Sequence, residues 1–177
     1  IIGDDNNGVN IDGDNVTIKN IHVNTPHGNG GDAVSILGNS VTVDTIFVTE
    51  CGARGINWDA NDIIVTNCFI AFTNSLGMRP NSGERAIITN NYVIEAGSAG
   101  INPGPSTGGD HIIANNTVIN AAVDGMQPSG PDSIIGSNRI HNSGDDGIQV
   151  VGTDILVHNN RVSDSAINDI STTTGTL

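Results

Sequence analysis

Gly55-Ile56-Asn57-Trp58, Gly77-Met78-Arg79-Pro80, Gly100-Ile101-Asn102-Pro103, Gly125-Met126-Gln127-Pro128 and Gly147-Ile148-Gln149-Val150 are five versions of one segment. Gly8-Val-Asn-Ile and Ala33-Val-Ser-Ile extend the series upstream, and Asp169-Ile-Ser-Thr extends it downstream. The eight segments follow one another at intervals of 25, 22, 22, 23, 25, 22 and 22 residues. A fixed period over the whole chain is the signature of a solenoid, in which residues one period apart become neighbours in space. Candidate sites therefore have to be read across repeats rather than along them.

Within the segment, an apolar residue stands on either side of a polar one, which is the period of a strand. Asn57, Arg79, Asn102, Gln127 and Gln149 are thus expected to point outward as one polar row. Trp58, on the other parity, is expected inside. A second apolar stretch follows at Val16-Thr-Ile, Val41-Thr-Val, Ile63-Ile-Val, Ala86-Ile-Ile, His111-Ile-Ile, Ser133-Ile-Ile and Asp154-Ile-Leu-Val. After a bend comes a third short strand, with Phe47, Phe69, Val93, Val118, Ile140 and Val162 as its apolar residues. Asn67, Asn91, Asn116, Asn138 and Asn160 each lie two residues before an apolar residue of that strand. Asparagine tolerates left-handed bends, and stacked amides hydrogen-bond from coil to coil, so these five are expected to form a structural ladder.

Three strands per period of 22–25 residues, without any stretch of 3.6-residue periodicity, predict an all-β fold. The expected architecture is a single-stranded right-handed parallel β-helix of about seven coils, one domain over residues 1–177. The Ile- and Val-rich apolar set and the 23 glycines agree with short pleated strands and frequent turns. No apolar run reaches the roughly 18 residues of a membrane helix. A net charge of −13 with only six Lys and Arg excludes a nucleic-acid groove. Asp outnumbers Glu sixteen to three. Turn chemistry accounts for that bias; adaptation to high salt is the competing explanation. Cys51 and Cys68 fall at different positions in successive repeats and imply no disulfide. His22, His27, His111, His141 and His158 share no column, and no metal is expected from them.

This combination of period, three strands and bend asparagines resembles the pectin-lyase-like superfamily over nearly the whole chain. The resemblance implies the parallel β-helix. It leaves function open, because that scaffold carries lyases, hydrolases, epimerases, tailspikes and structural proteins. It also implies that the outward row Asn57, Arg79, Asn102, Gln127 and Gln149 is a candidate glycan-binding face.

Two stretches are similar to catalytic families within the group. The run Asp32 to Phe47 followed by Ile64-Val-Thr-Asn-Cys-Phe is similar to the pectate lyases, in which the residue matching Asp44 is a calcium ligand. The next coil offers Ala53, Arg54 and Asn57 instead of further carboxylates, and Gly100-Ile-Asn-Pro-Gly-Pro stands where an Arg-rich segment belongs. No cofactor is expected, and calcium is the one ion the resemblance leaves open. Val123-Asp124-Gly125-Met126 and Gly144-Asp145-Asp146-Gly147-Ile148 are similar to the carboxylate motifs of the polygalacturonases. By that resemblance Asp145 is the general acid, and Asp124 and Asp146 activate water for an inverting hydrolysis. The His motif expected one coil later is replaced by Ala166-Ile167-Asn168. Asp32 holds the same column without any motif, as a simple turn residue would.

Neither end shows a polar cap: Ile1-Ile2 opens the chain, and the segment from Ile170 to Leu177 reads as another strand. The expectation is therefore of a rod continued by attached domains or by head-to-tail stacking of copies. The leading expectation is a non-catalytic extracellular structural or adhesive module of a filament, spike or fibre. A polysaccharide-degrading enzyme or a glycan-binding module is the alternative.

Overall fold

The computed structural model describes residues 7–25, 30–103 and 108–172. Over these residues the chain is all-β and winds as a parallel solenoid of about seven turns. The repeated segments form the first sheet. Val9–Ile11, Val34–Ile36, Ile56–Asp59 and Met78–Ser82 pair in register, and single bridges at Ile101 and Met126 carry the column on to Ile148–Val150 and Ile170–Thr172. At Pro103 and Pro128 the missing N–H limits the ladder to those single bridges.

The other two sheets stand side by side. Ile64–Thr66, Ile87–Thr89, Ile112–Ala114, Ile134–Gly136 and Leu156–His158 make the second. Phe69–Thr73, Tyr92–Ala96, Thr117–Ile119, Arg139–His141 and Arg161–Ser163 make the third. In the first two coils, Thr17–Thr25 and Thr42–Cys51 run through both sheets without a break. Every coil contributes one residue to each inward column. Val34, Ile36, Ile56, Met78, Ile101, Met126 and Ile148 are all fully buried, and so is Trp58 at 1% exposure.

The corners explain the composition. Among the described residues, nineteen non-glycine residues have positive φ, and thirteen of them are Asn or Asp. They fall into columns, such as Asp62, Arg85, Asp110, Asp132 and Asp154 ahead of the second sheet and Asn67, Asn90, Asn115, Ser137 and Asn159 ahead of the third. Asn and Asp reach this conformation at the least cost because their short side chains hydrogen-bond locally. Glycine serves a different purpose at the start of each repeat. A Cβ on Gly125 would stand 2.3 Å from Ile140 Cγ2 and 2.5 Å from the Gly147 carbonyl oxygen. The column is small because the first sheet lies against the third-sheet side chains there.

Behind the third-sheet corner runs the amide ladder. Asn91, Asn116, Asn138 and Asn160 each turn inward. The Oδ1 of Asn116 accepts the Asn91 backbone N–H at 3.0 Å, and its Nδ2 donates to the Ile88 carbonyl at 2.8 Å. Asn138 and Asn160 repeat both bonds one coil further on. Asn67 is a correction to the expected five. It occupies the left-handed corner one residue earlier, and Cys68 takes the inward place, its N–H donating to Asn91 Oδ1 at 2.9 Å. Where two asparagines are adjacent, as at Asn90-Asn91, one takes the corner and the other the ladder. Asn67 has no such neighbour, and φ decides its role.

The same offset corrects the third strand. Phe47 and Phe69 pair with Tyr92 and face outward, while Val48 and Ile70 join Val93 inside. Phe47 and Phe69 stack at a centroid distance of 4.6 Å, and Phe69 and Tyr92 at 5.6 Å. The rings cover one another's faces, the sheet's usual cross-strand stabilisation. Cys51 and Cys68 are buried free thiols, and burial pushes the Cys68 thiol up to about 11.

Candidate functional site

The residue before each repeat's small residue forms a column of its own: Asn7, Asp32, Arg54, Leu76, Ala99, Asp124, Asp146 and Asn168. Where it is acidic or amidic, the side chain accepts the backbone N–H one coil ahead. Asn7 Oδ1 accepts from Asp32 at 2.8 Å, Asp32 Oδ1 from Arg54 at 3.2 Å, Asp124 Oδ1 from Asp146 at 3.2 Å and Asp146 Oδ1 from Asn168 at 3.1 Å. A third such column, Asp14, Asn39, Asn61 and Glu84, does the same ahead of the second sheet.

At the acidic end of this column the structure brings Asp124, Asp145 and Asp146 together. One carboxylate oxygen from each lies within 4.8 Å of the others. Asp124 and Asp146 are buried, and Asp145 is partly exposed. The second oxygen of Asp124 accepts from Gln127 Nε2 at 3.1 Å. Asp146 also accepts from Asn168 Nδ2 at 2.8 Å, from Gln149 Nε2 at 3.4 Å and from the Ser171 hydroxyl. Burial, together with the charges of Asp145 and Asp146, holds the Asp124 carboxyl above its ordinary range against the opposing Asp146 N–H. Burial acts on Asp146 in the same direction, but the bonds from Ser171, Asn168, Gln149 and the Asn168 N–H outweigh it and bring that carboxyl below its ordinary range. Among the described residues no cation pairs with any of the three. In the same column at the other end, Arg54 Nε pairs with Asp32 at 2.8 Å.

This arrangement could offer three oxygens to a hard cation or divide acid and base roles between two carboxyls. An inverting hydrolase, however, separates its two carboxyl groups by roughly 6.5–9.5 Å to admit water. Here the oxygens approach more closely, and Asp124 and Asp146 are already engaged by backbone donors.

The polar row on the first sheet is real but uneven. Arg79 pairs in register with Asn57. Asn102 Nδ2 donates to Gln127 Oε1 at 2.8 Å, and Gln127 Nε2 continues to Gln149 Oε1. These amides thus link coil to coil along the rod, although the buried Asn102 Oδ1 has no donor. Asn57 departs from the outward expectation: it is only 6% exposed, because the Arg54 guanidinium closes over it with Nη1 at 3.3 Å from Oδ1.

Asp44 lies elsewhere, between Lys19 and Thr66 of the adjoining coils. Its Oδ1 accepts from Asn67 Nδ2 and from Thr45 Oγ1, both at 2.9 Å, and these bonds, Asn67's first, lower its carboxyl pKa. No carboxylate from the next coil pairs with it in register. The expectations at Ile1-Ile2, at His27 and over 173–177 lie outside the described residues. The sequence did not reveal the Asp14 column or the polar shell of Asn168 and Ser171. Aligning residues one period apart would have exposed both.

No family model matches the chain, and no curated protein matches it.

Proposed function

We propose that this chain is a non-catalytic structural or adhesive module of an extracellular filament, spike or fibre, built on the pectin-lyase-like type of β-helix. One observation carries the proposal. Two of the three carboxylates that most resemble an active site, Asp124 and Asp146, belong to a column in which Asn7, Asp32, Asp124 and Asp146 each accept the N–H of the adjoining coil. Two further columns use Asn and Asp in the same way. The polar chemistry of the chain is thereby spent on joining coils, as a rod requires. Head-to-tail association of copies is part of the proposal, since parallel coils present backbone donors and acceptors to one another along the rod. An extracellular site follows from the resemblance alone.

Reducing-sugar release from polyuronates is the direct test. The wild-type chain is expected to release none, and concentrated samples are expected to show axial polymers by electron microscopy. Release that Asp145→Asn abolishes would overturn the proposal, because Asp145 lies outside the ladder and its loss would report chemistry.

A second function, an inverting polysaccharide hydrolase using Asp124, Asp145 and Asp146, draws support from one feature. The Asp124 carboxyl is raised and the Asp146 carboxyl lowered, with no ion pair to either among the described residues. Opposed shifts in neighbouring carboxyls are the usual basis for dividing acid and base roles. A third function, glycan binding without chemistry, would use Arg79 and the amides of Asn102, Gln127 and Gln149.

A further inference from the structure

The outer face of the second sheet carries a row of aliphatic side chains where a solvated sheet face would be polar. Ile64, Ile87, Ile112, Ile134 and Leu156 pair in register on five successive coils. Ile87 is 36% exposed, Ile112 39%, Ile134 38% and Leu156 57%. The first two coils place Thr17 and Thr42 in the same row, so the fold does not itself demand aliphatic residues there. A shallow groove lies along the first three of these coils, floored by Ile64, Ile87 and Ile112 and walled by Asp62, Arg85 and Asp110. Asp132 and Asp154 continue that wall at the same corner position. Arg85 is held by Asp62 at 2.6 Å and by Glu84 at 2.9 Å, so the wall as a whole is anionic. The opposite flank is small and uncharged over four coils, at Thr66, Thr89, Ala114 and Gly136, and ends on His158.

We infer that this groove is a docking surface for a basic amphipathic α-helix of a partner protein, laid along the rod. Period, area and charge select that occupant. Coils stack at about 4.8 Å, so five rows span about 19 Å. A helix presents its apolar stripe with a pitch of about 5.4 Å and covers that length in about 13 residues. The two periods drift apart by only about 2.4 Å over the whole row. An extended peptide presents one face every ~6.7 Å and falls out of step within three rows. A second copy of the chain would match the spacing. It would also bring a second net charge of −13 to the contact. The strip, moreover, is of the few-hundred-Å² scale of functional patches, short of the roughly 800 Å² each partner of a stable complex buries. The anionic wall selects lysine or arginine on one flank of the helix. This surface is independent of the Asp124 cluster and of the rod's ends, so it stands or falls apart from the structural-module proposal.

The probe is a fluorescein-labelled 14-residue peptide with leucines at helical spacing and lysines along one flank, titrated with the whole chain and followed by anisotropy. Saturable binding is expected in dilute buffer, weakening as salt is added. Ile87→Thr/Ile112→Thr/Ile134→Thr, which restores the residue type of the first two coils, is expected to abolish it. Asp110→Asn/Asp132→Asn/Asp154→Asn, which keeps the left-handed corners, is expected to weaken it about tenfold. Unchanged circular dichroism would certify both variants as folded. Three results would overturn the inference: no binding, equal binding of a sequence-scrambled peptide of the same composition, or a wild-type dimer in sedimentation that the threonine variant dissociates. The last would identify a second copy as the occupant.

Discussion

Asn67 and Asn116 look equivalent in the sequence and are used for opposite purposes. Asn116 is 1% exposed and its side chain closes four bonds, to the Asn91 N–H and Nδ2, to the Ile88 carbonyl and to Asn138 Oδ1. Asn67 sits at a corner with φ of 55°, and its side chain binds only the Asp44 carboxylate. Asn116→Ala strands a buried backbone donor and acceptor, and is expected to cost about 3 kcal/mol. Asn67→Gly keeps the left-handed corner and is expected to change stability by less than about 0.5 kcal/mol. Urea unfolding of the two variants measures the difference, and equal losses would refute the assignment of corner and ladder. Only φ separates the two residues. The Asn doublets at 90-91, 115-116 and 159-160 are the one trace of the distinction in the sequence.

A column is the element of this fold, and the column containing Asp124 and Asp146 responds to pH in two directions. Asp146 has a folded pKa below its unfolded value, so its contribution is present above the unfolded pKa and is lost as pH falls through the folded one. Asp124 has a folded pKa above its unfolded value. Its contribution is present below the unfolded pKa and is lost as pH rises through the folded one. At pH 7, Asp146→Asn is therefore expected to destabilise by about 2 kcal/mol, the scale of hydrogen bonds to a charged group. Asp124→Asn is expected to be close to neutral, because the amide oxygen still accepts the Asp146 N–H and no buried charge remains, which offsets the loss of the bond from Gln127 Nε2. Thermal unfolding at pH 7 and again in acid, as pH falls through both carboxyls, checks both signs, since each difference should shrink there. The sequence placed these aspartates side by side through the period alone. Their donors, Gln127, Asn168, Gln149 and Ser171, come from three coils and were visible only once those coils were stacked.

The whole molecule carries a net charge of −13 on a narrow rod, with three ion pairs to arginine among the described residues. Self-repulsion on that scale is screened as the Debye length falls from about 10 Å at 0.1 M salt to about 3 Å at 1 M. The melting temperature is expected to rise over that range by roughly 5 °C, equivalent to about 1–2 kcal/mol. A flat or falling curve would show that the acidity does not oppose the fold. Much of it belongs to the architecture: Asp62, Asp110, Asp132, Asp154 and Asp164 take left-handed corners, and Asp14, Asp32, Asp124 and Asp146 accept N–H groups across coils. The sequence by itself determined the solenoid, its three strands per turn, the buried Trp58 and the convergence of Asp124, Asp145 and Asp146, because a fixed period converts spacing into contact. It could not decide the facing of residues in runs such as Ile63-Ile64-Val65 and Ile112-Ile113, which are apolar on both parities. Tertiary structure decided that Ile63 and Ile113 fill the core while Ile64 and Ile112 line the outer groove. The physical reason lies in the corners. Each left-handed residue resets the alternation of the strand that follows it, and which residue adopts that conformation depends on the coils stacked above and below.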